Sequence, residues 1–566
     1  MKDMRTTHLL TPEGEALTGT PWNTYPRPRM RRDSFICLNG EWEFCQNDGA
    51  WEHILVPFPP ESLLSGVCRD MGKSPRLTYR KAFPRPDADG GRVLLHFGAV
   101  DQIAEVSLNG TPLGRHEGGY EAFSFDVTDV LCDDNQLTVT VTDELHTHVL
   151  PYGKQCAKRG GMWYTPVTGI WQTVWMERVP ASYIRSVSVK TAGNTATVTA
   201  EGVSDGIVTV KTPDGELTLP LAGGQATVTV DNPRLWSPDD PYLYEFTITA
   251  GEDRVASYFA LRTLSVERVG GIPRLCLNGR PYFFHALLDQ GYFSDGIFTP
   301  ATPEGYTRDI LAAKSLGYNT LRKHIKLEPE CFYYDCDRLG MVVFQDMVNN
   351  GDYSFLRDTA LPTVGIKRLS DKHFHRDPAT RDAFIAGMDA TVERLSFHPS
   401  VCYWTIFNEG WGQFDSATQY AHLKELDDTR FVDTASGWFA GAPSDVDSEH
   451  VYFKPVRLKF ADRPMVLSEF GGYSYKPAGH VFNLDKTYGY RFFEDGDAFA
   501  EALYALYEDE IIPAAKEGLC AAVYTQLSDV EDETNGLLSY DRRVTKVDPE
   551  RMQKIAKALA EAVKAE

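Results

Sequence analysis

Two glutamates stand out by type and position. VCYWTIFNE (401–409) is an apolar run that closes on Glu409, and MVLSEFGG (465–472) is a second that carries Glu469 after MVLS. A carboxylate at the end of such a run has to leave the core, because an unpaired buried charge is costly. Two carboxyls facing one cleft can divide their labour. One, protonated, donates to a leaving oxygen; the other, ionised, attacks the carbon, and its charge raises the pKa of its neighbour. This is the chemistry of glycosidic acetal cleavage, and a spacing of about 5–5.5 Å would allow a covalent intermediate and retention at the anomeric carbon.

The elements that must hold this pair begin near residue 265. Strand-like YFFHA, NTLR and MVVFQD alternate with helical EGYTRDILAAKSLG and EPECFYYDCDRLG. The alternation runs on through RDAFIAGMDATVERLSFHP, VCYWTIFNE, a polar helix near 416–427, MVLSEFGG, a helix near 497–515 and AAVYTQ. Strand and helix alternating from 265 to 566 predict a (β/α)8 TIM barrel, whose active sites lie at the C-terminal strand ends. Counted from YFFHA, the two glutamates sit on the fourth and seventh strands, across the barrel from one another.

Residues 1–180 read as a β-rich domain, with RVLLHFGAV, IAEVSLNG and NQLTVTVTD broken by Asn-Gly, Asp-Asn and Gly-Gly turns. Residues 181–264 repeat short strands around a Pro213-Asp214-Gly215 hairpin signal, in the length of one immunoglobulin-like β-sandwich. A chain of 566 residues accommodates three such domains.

The formal charge of −22 argues against a nucleic-acid partner and against anionic membrane surfaces. No apolar run reaches membrane-spanning length, and the first residues carry no apolar signal segment, so a cytoplasmic protein is expected. Ten scattered cysteines without CxxC pairs read as reduced thiols. No HExxH or clustered ligand spacing appears, which speaks against a metal-dependent hydrolase and leaves no metal-ligating residue to name.

Taken together the motifs resemble glycoside hydrolase family 2, the β-galactosidases, β-glucuronidases and β-mannosidases. LNGEWEF (38–44), GAVDQIAEVSLNG (98–110) and TPVTGIWQTVWME (165–177) resemble the family's N-terminal jelly roll. RLWSPDDPYLY (234–244) resembles the close of its sandwich, and LNGRPYFFH (277–285) the entry to its barrel. FHPSVCYWTIFNEG (397–410) and PMVLSEFGG (464–472) resemble its acid/base and nucleophile segments.

The resemblance implies that Glu409 is the acid/base, Glu469 the nucleophile, and Asn408 a partner of the sugar 2-hydroxyl. EHVYF (449–453) resembles a His-x-Tyr element in which Tyr452 donates to the nucleophile; His450 is then a pocket residue, or else a satisfied core histidine. In NTLRKHIKLEP (319–329), Arg322 is expected to brace the nucleophile, with His324 beside it. Here Lys323 alone separates Arg322 from His324, where the family usually places two small residues. Asp289 stands where a His-Glu pattern is more usual. Tyr524 either stacks on the sugar or belongs to the barrel core.

For substrate, matching GLLSYDR (536–542) to the segment after the glucuronidases' Asn-x-Lys pair puts Glu533 and Asn535 at its two positions. A glutamate there would repel a uronate, although Arg322, Lys323 and Lys326 offer another source of carboxylate contact. The expectation is therefore an exo-acting, retaining β-glycosidase on a neutral hexose, galactose first, with a β-glucuronide or β-galacturonide as the alternative. A catalytically inactive carbohydrate-binding relative is the reading from another class, and retention of both glutamates speaks against it. An oligosaccharide or glycoside is the expected partner and a homo-oligomer the family's habit. No cofactor is expected, beyond an Mg2+ or Na+ whose ligands the sequence does not place.

Overall fold

A computed structural model describes residues 6–87, 90–363, 370–372, 374–439 and 441–564. The first five residues, where the chain was expected to lack a signal segment, lie outside these. No helix among the described residues is long and apolar enough to cross a membrane.

Residues 36–179 form two facing antiparallel sheets, the jelly roll. The larger orders Glu52–Val56, Gly40–Gln46, Arg76–Pro84, Asp134–Thr142, Ile103–Leu108 and Thr111–Glu117. The smaller orders Ile36–Cys37, Val174–Val179, Arg92–Phe97 and Phe123–Asp126. The alternation in Asp134–Thr142 explains the packing: Leu137, Val139 and Val141 turn inward onto Trp42, Phe44 and Tyr79, and the threonines between them turn away. Seven antiparallel strands follow, from Ser186–Ala192 to Asp253–Phe259, in two leaves joined by the single residue pair Ala222 and Gln225. Val198, Val208, Phe246 and Val255 fill the space between the leaves. The expected hairpin is present, with Thr212 paired to Gly215 across Pro213-Asp214.

The barrel strands, numbered here in chain order, are β1 (Phe284–Asp289), β2 (Thr320–Lys323), β3 (Val342–Asp346), β4 (Val401–Asn408), β5 (Phe431–Ser436), β6 (Asp447–Val451), β7 (Met465–Gly471) and β8 (Leu519–Thr525). They pair in parallel with β8 back on β1, and β5 adjoins β6 to complete the ring. Helices α1 (Glu304–Ser315), α2 (Glu330–Leu339), α3 (Pro378–Leu395) and α4 (Ser416–Leu426) follow the first four strands. The long helix expected near 497–515 is present and runs from Gly496 to Glu517, with α5 (Gly496–Leu506) and α6 (Ile512–Glu517) joined by one π-helical turn at Tyr507–Ile511. Pro513, which has no N–H to give, follows that widened turn directly. A hairpin, Leu264–Val269 with Ile272–Leu277, plugs the N-terminal mouth, where Leu275 packs on Phe284, Val342, Val466 and Ala521.

Two features of this frame decide the site. Along β1, Ala286 and Leu288 face the barrel interior with Val523, whereas His285 faces the helix layer against Tyr318 and Tyr507. And a jelly-roll loop, residues 150–168, lies over the C-terminal rim. There Tyr152 donates its N–H to the Asn349 carbonyl (3.0 Å), Thr165 its N–H to Glu531 (2.9 Å), and Tyr164 its hydroxyl to Glu533 (2.5 Å).

Candidate active site

β4 delivers Asn408 and then Glu409, whose φ of 51° is in the left-handed region that turns the chain off the strand. Gly410 continues the turn at φ 78°, and a Cβ there would lie 2.6 Å from the Phe439 ring. β7 delivers Glu469. A carboxyl oxygen of each glutamate and a ring nitrogen of His450 all fall within 4.8 Å of one another. Among the described residues this is also the group whose atoms converge enough to hold a cation. A cation there would occupy the same two carboxyls that proton donation and attack require.

The two carboxyls have different surroundings. Glu469 is buried and saturated with donors: Arg322 Nη1 at 3.1 Å, the Tyr452 hydroxyl, and His450 Nδ1 at 3.6 Å. Burial alone would raise its pKa. The charges of His450 and Arg322, then His324 and the Tyr452 hydroxyl, outweigh burial and hold Glu469 at about 2. It is the ionised partner. Glu409 keeps 15% of its side chain exposed and meets His450 Nδ1 at 2.8 Å. It is the carboxyl that opens on the cleft.

Arg322 organises the floor. Its guanidinium donates to Asp346 (3.0 Å), to Glu469 and the Ser468 carbonyl (2.9 Å), and to Asn408 Oδ1 (2.9 Å). With its oxygen so engaged, Asn408 presents a buried Nδ2 that has no acceptor among the described residues, a donor free for a ligand. His324 is tied through Nδ1 to Asp346 (2.8 Å), and burial, ahead of that contact, lowers its pKa. His450 Nε2 lies 3.0 Å from Ser436 Oγ. The structure thus brings together Glu409, Glu469, Asn408, Arg322, His324, His450 and Tyr452.

It does not bring in the other four. Strand residues alternate sides, so the neighbours of pocket residues face the helices. Lys323, next to Arg322, turns outward over the Phe332 ring of α2 and pairs with Asp289 (2.6 Å) and Glu328 (2.8 Å). Asp289 shares the outward face of β1 with His285 and spends its other oxygen on the Gly291 N–H. Lys326 donates to the Gly291 and Phe298 carbonyls and to Glu328. All three are closed off in one buried ion cluster. Tyr524 likewise faces outward against Phe470, and its neighbour Thr525 turns inward, 3.0 Å from the Tyr452 hydroxyl.

Sequence reading missed Asp346, although it closes β3 as Glu409 follows β4. It also missed an aromatic group at the mouth: Trp163 stacks on Trp411 (5.3 Å), and Tyr353 meets both edge-on. Trp411, two residues past Glu409, was findable; Trp163, from another domain, left no local signal. Glu533, suspected of repelling a uronate, is buried, and its Oε2 receives the Tyr164 hydroxyl and the Gln526 amide (2.9 Å).

A family model described as Glycosyl hydrolases family 2, TIM barrel domain, matches residues 300–456. Two companion models, the family's galactose-binding domain-like unit and Glycosyl hydrolases family 2, match 68–163 and 181–262. A β-glucuronidase of Bacteroides fragilis is 23% identical over 77% of this chain and 68% of its own. A β-galactosidase of Thermoanaerobacter pseudethanolicus is 25% identical over 55% of this chain, which spans 44% of that relative's length. Among solved structures, a β-D-glucuronidase of Dictyoglomus thermophilum shares the fold with a TM-score of 0.73, 17% identity, and coverage of 94% of this chain and 98% of its own. A β-galacturonidase of Eisenbergiella tayi gives a TM-score of 0.66 at 19% identity, with the same two coverages of 94% and 98%.

Proposed function

The chain belongs to glycoside hydrolase family 2, and from that premise we propose that it is a retaining exo-β-uronidase, releasing a terminal β-linked hexuronic acid. The observation that carries the mechanism is the approach of Glu409 and Glu469 oxygens to within 4.8 Å. That approach suits the about 5–5.5 Å of a retaining pair better than the about 6.5–9.5 Å an inverting pair leaves for water. Glu469, held ionised, attacks the anomeric carbon while Glu409 protonates the leaving oxygen. Glu409 then takes the proton of the water that hydrolyses the glycosyl ester. In this reading Asn408 Nδ2 donates to the 2-hydroxyl, a contact that strengthens as the ring flattens toward the oxocarbenium ion, and its lack of an acceptor among the described residues supports that role.

The choice of a uronide departs from the neutral hexose that the sequence favoured. It is supported by the solved neighbours, which are named glucuronidases and a galacturonidase and match this chain over nearly their whole length. A terminal β-galactoside is the second reading, favoured by Glu533 as an acceptor for sugar hydroxyls. The test is a panel of aryl β-glucuronide, galacturonide, galactoside, glucoside and mannoside, with wild type and Glu469→Gln. Uronide preference, loss of at least about 10⁴-fold in kcat in the variant, and a β-configured first product are expected. Preference for the galactoside would overturn the substrate, and an inverted product would overturn the mechanism.

A further inference from the structure

Among the described residues, the buried lysines are Lys154, Lys323, Lys326 and Lys546. Three are spoken for: Lys323 and Lys326 by the Asp289 and Glu328 cluster, and Lys546 by Asp529 at 2.6 Å. Such pairing is what a buried cation ordinarily requires. Lys154 is the exception. Its ammonium makes no hydrogen bond or ion pair with a described residue, and it rests on aromatic faces, 5.1 Å from the Trp411 ring centre and 5.8 Å from that of Tyr164.

Its place is fixed. The residue before it, Gly153, has φ 66°, and a Cβ there would lie 2.7 Å from the Ile325 carbonyl, one residue past His324. The Lys154 carbonyl accepts the Tyr164 N–H (3.0 Å), so the loop carries lysine and ring together. Trp411 stands two residues from Glu409, and its ring centre is 6.5 Å from that of His324. Tyr164 bonds Glu533, whose carboxyl feels both Lys154 and Glu469. The ammonium therefore borders the catalytic cleft on the side of His324 and Glu533. A uronate entering a pocket lined by Glu409, Glu469 and Glu533 needs a cation that no protein carboxylate has already claimed. Arg322 is committed to Asp346, Glu469 and Asn408, and Lys323 and Lys326 face away.

We propose that Lys154, supplied by the jelly-roll loop, is the residue that binds the substrate's carboxylate and so selects uronides over neutral glycosides. The assignment rests on the uronidase reading. It moves carboxylate recognition from the barrel, where sequence reasoning looked for it, to the N-terminal domain. A charge-assisted hydrogen bond to a carboxylate in a partly dry pocket is among the stronger single contacts available.

The experiment compares wild type, Lys154→Met and Lys154→Arg on aryl β-uronides and on the best neutral glycoside. It also measures competitive inhibition by free galacturonate and free galactose against whichever substrate is turned over, with thermal melts to establish folding. The kcat/KM ratio of uronide to neutral glycoside is expected to fall about 10- to 100-fold in Lys154→Met, mainly through KM, and to be largely kept in Lys154→Arg. Inhibition by galacturonate should weaken by a similar factor, while inhibition by galactose moves much less. Equal losses on both sugar classes, or an unchanged ratio, would overturn the role of Lys154 even if uronides remain the preferred substrates. Preference for galactosides in the wild type, with galacturonate inhibition still dependent on Lys154, would instead overturn the functional reading and leave the contact standing.

Discussion

Arg322 and Lys323 are adjacent in sequence, buried and ion-paired, yet they belong to two different networks back to back on one strand. The inward network joins Arg322 to Asp346, Glu469 and Asn408, and it ends on groups that still face the cleft. The outward network joins Lys323 and Lys326 to Asp289 and Glu328, with Tyr306 also donating to Glu328 (2.6 Å), and its ammoniums point at nothing but protein. Charge and burial do not separate them. What separates them is whether the network has a donor or acceptor left over, as Asn408 Nδ2 is on the inner side.

The contrast can be broken most forcefully from the inside. Arg322→Met leaves Glu469 and Asp346 buried without their cation, which costs about 3–5 kcal/mol, and it removes a charge that holds Glu469 near 2. A carboxyl with a depressed folded-state pKa adds stability that is fully present above the unfolded value of about 4.3. That contribution is lost as pH falls toward 2 in the native protein. In Arg322→Met the Glu469 pKa should rise, so the acid limb of the kcat/KM profile moves to higher pH and kcat falls by at least about 100-fold. An acid limb that stays in place would remove Arg322 from control of the nucleophile.

On the outside, Lys323→Met strands Asp289 and removes one of Glu328's three side-chain donors. A loss of about 3–5 kcal/mol of unfolding free energy, read as a lower urea midpoint, is expected with KM and kcat of the folded fraction within about twofold of wild type. A selective rise in KM for uronides would return Lys323 to the substrate. The smallest effect is expected from Tyr524→Phe, under about 1 kcal/mol and without change in KM for any glycoside, since its ring packs on Phe470 away from the sugar.

The same contrast marks what the sequence allowed. Strand order, the three-domain plan and the convergence of Glu409 with Glu469 were legible, because apolar runs that end in a carboxylate state both the element and its exit point. Asp346 obeyed that rule in MVVFQD and was overlooked. Lys323 was offered for a carboxylate contact and Tyr524 for either sugar stacking or the barrel core, and counting alternate residues from Arg322 or from Val523 turns both to the helix layer, the core reading for Tyr524. The widened turn before Pro513, within the helix near 497–515, was equally readable. Trp163 and Lys154 were not readable from sequence, because contacts between residues more than 200 positions apart leave no local periodicity.

The loop 150–168 has a consequence of its own. One wall of the cleft is completed by a domain that holds neither glutamate, through the Tyr164 hydroxyl on Glu533 and the Tyr152 N–H on Asn349. If Lys154 on this loop binds the substrate carboxylate as proposed, bond-breaking and carboxylate recognition fall to different domains. Substitutions in that loop are then expected to shift which glycoside is preferred while the carboxyl pair on β4 and β7 keeps its geometry.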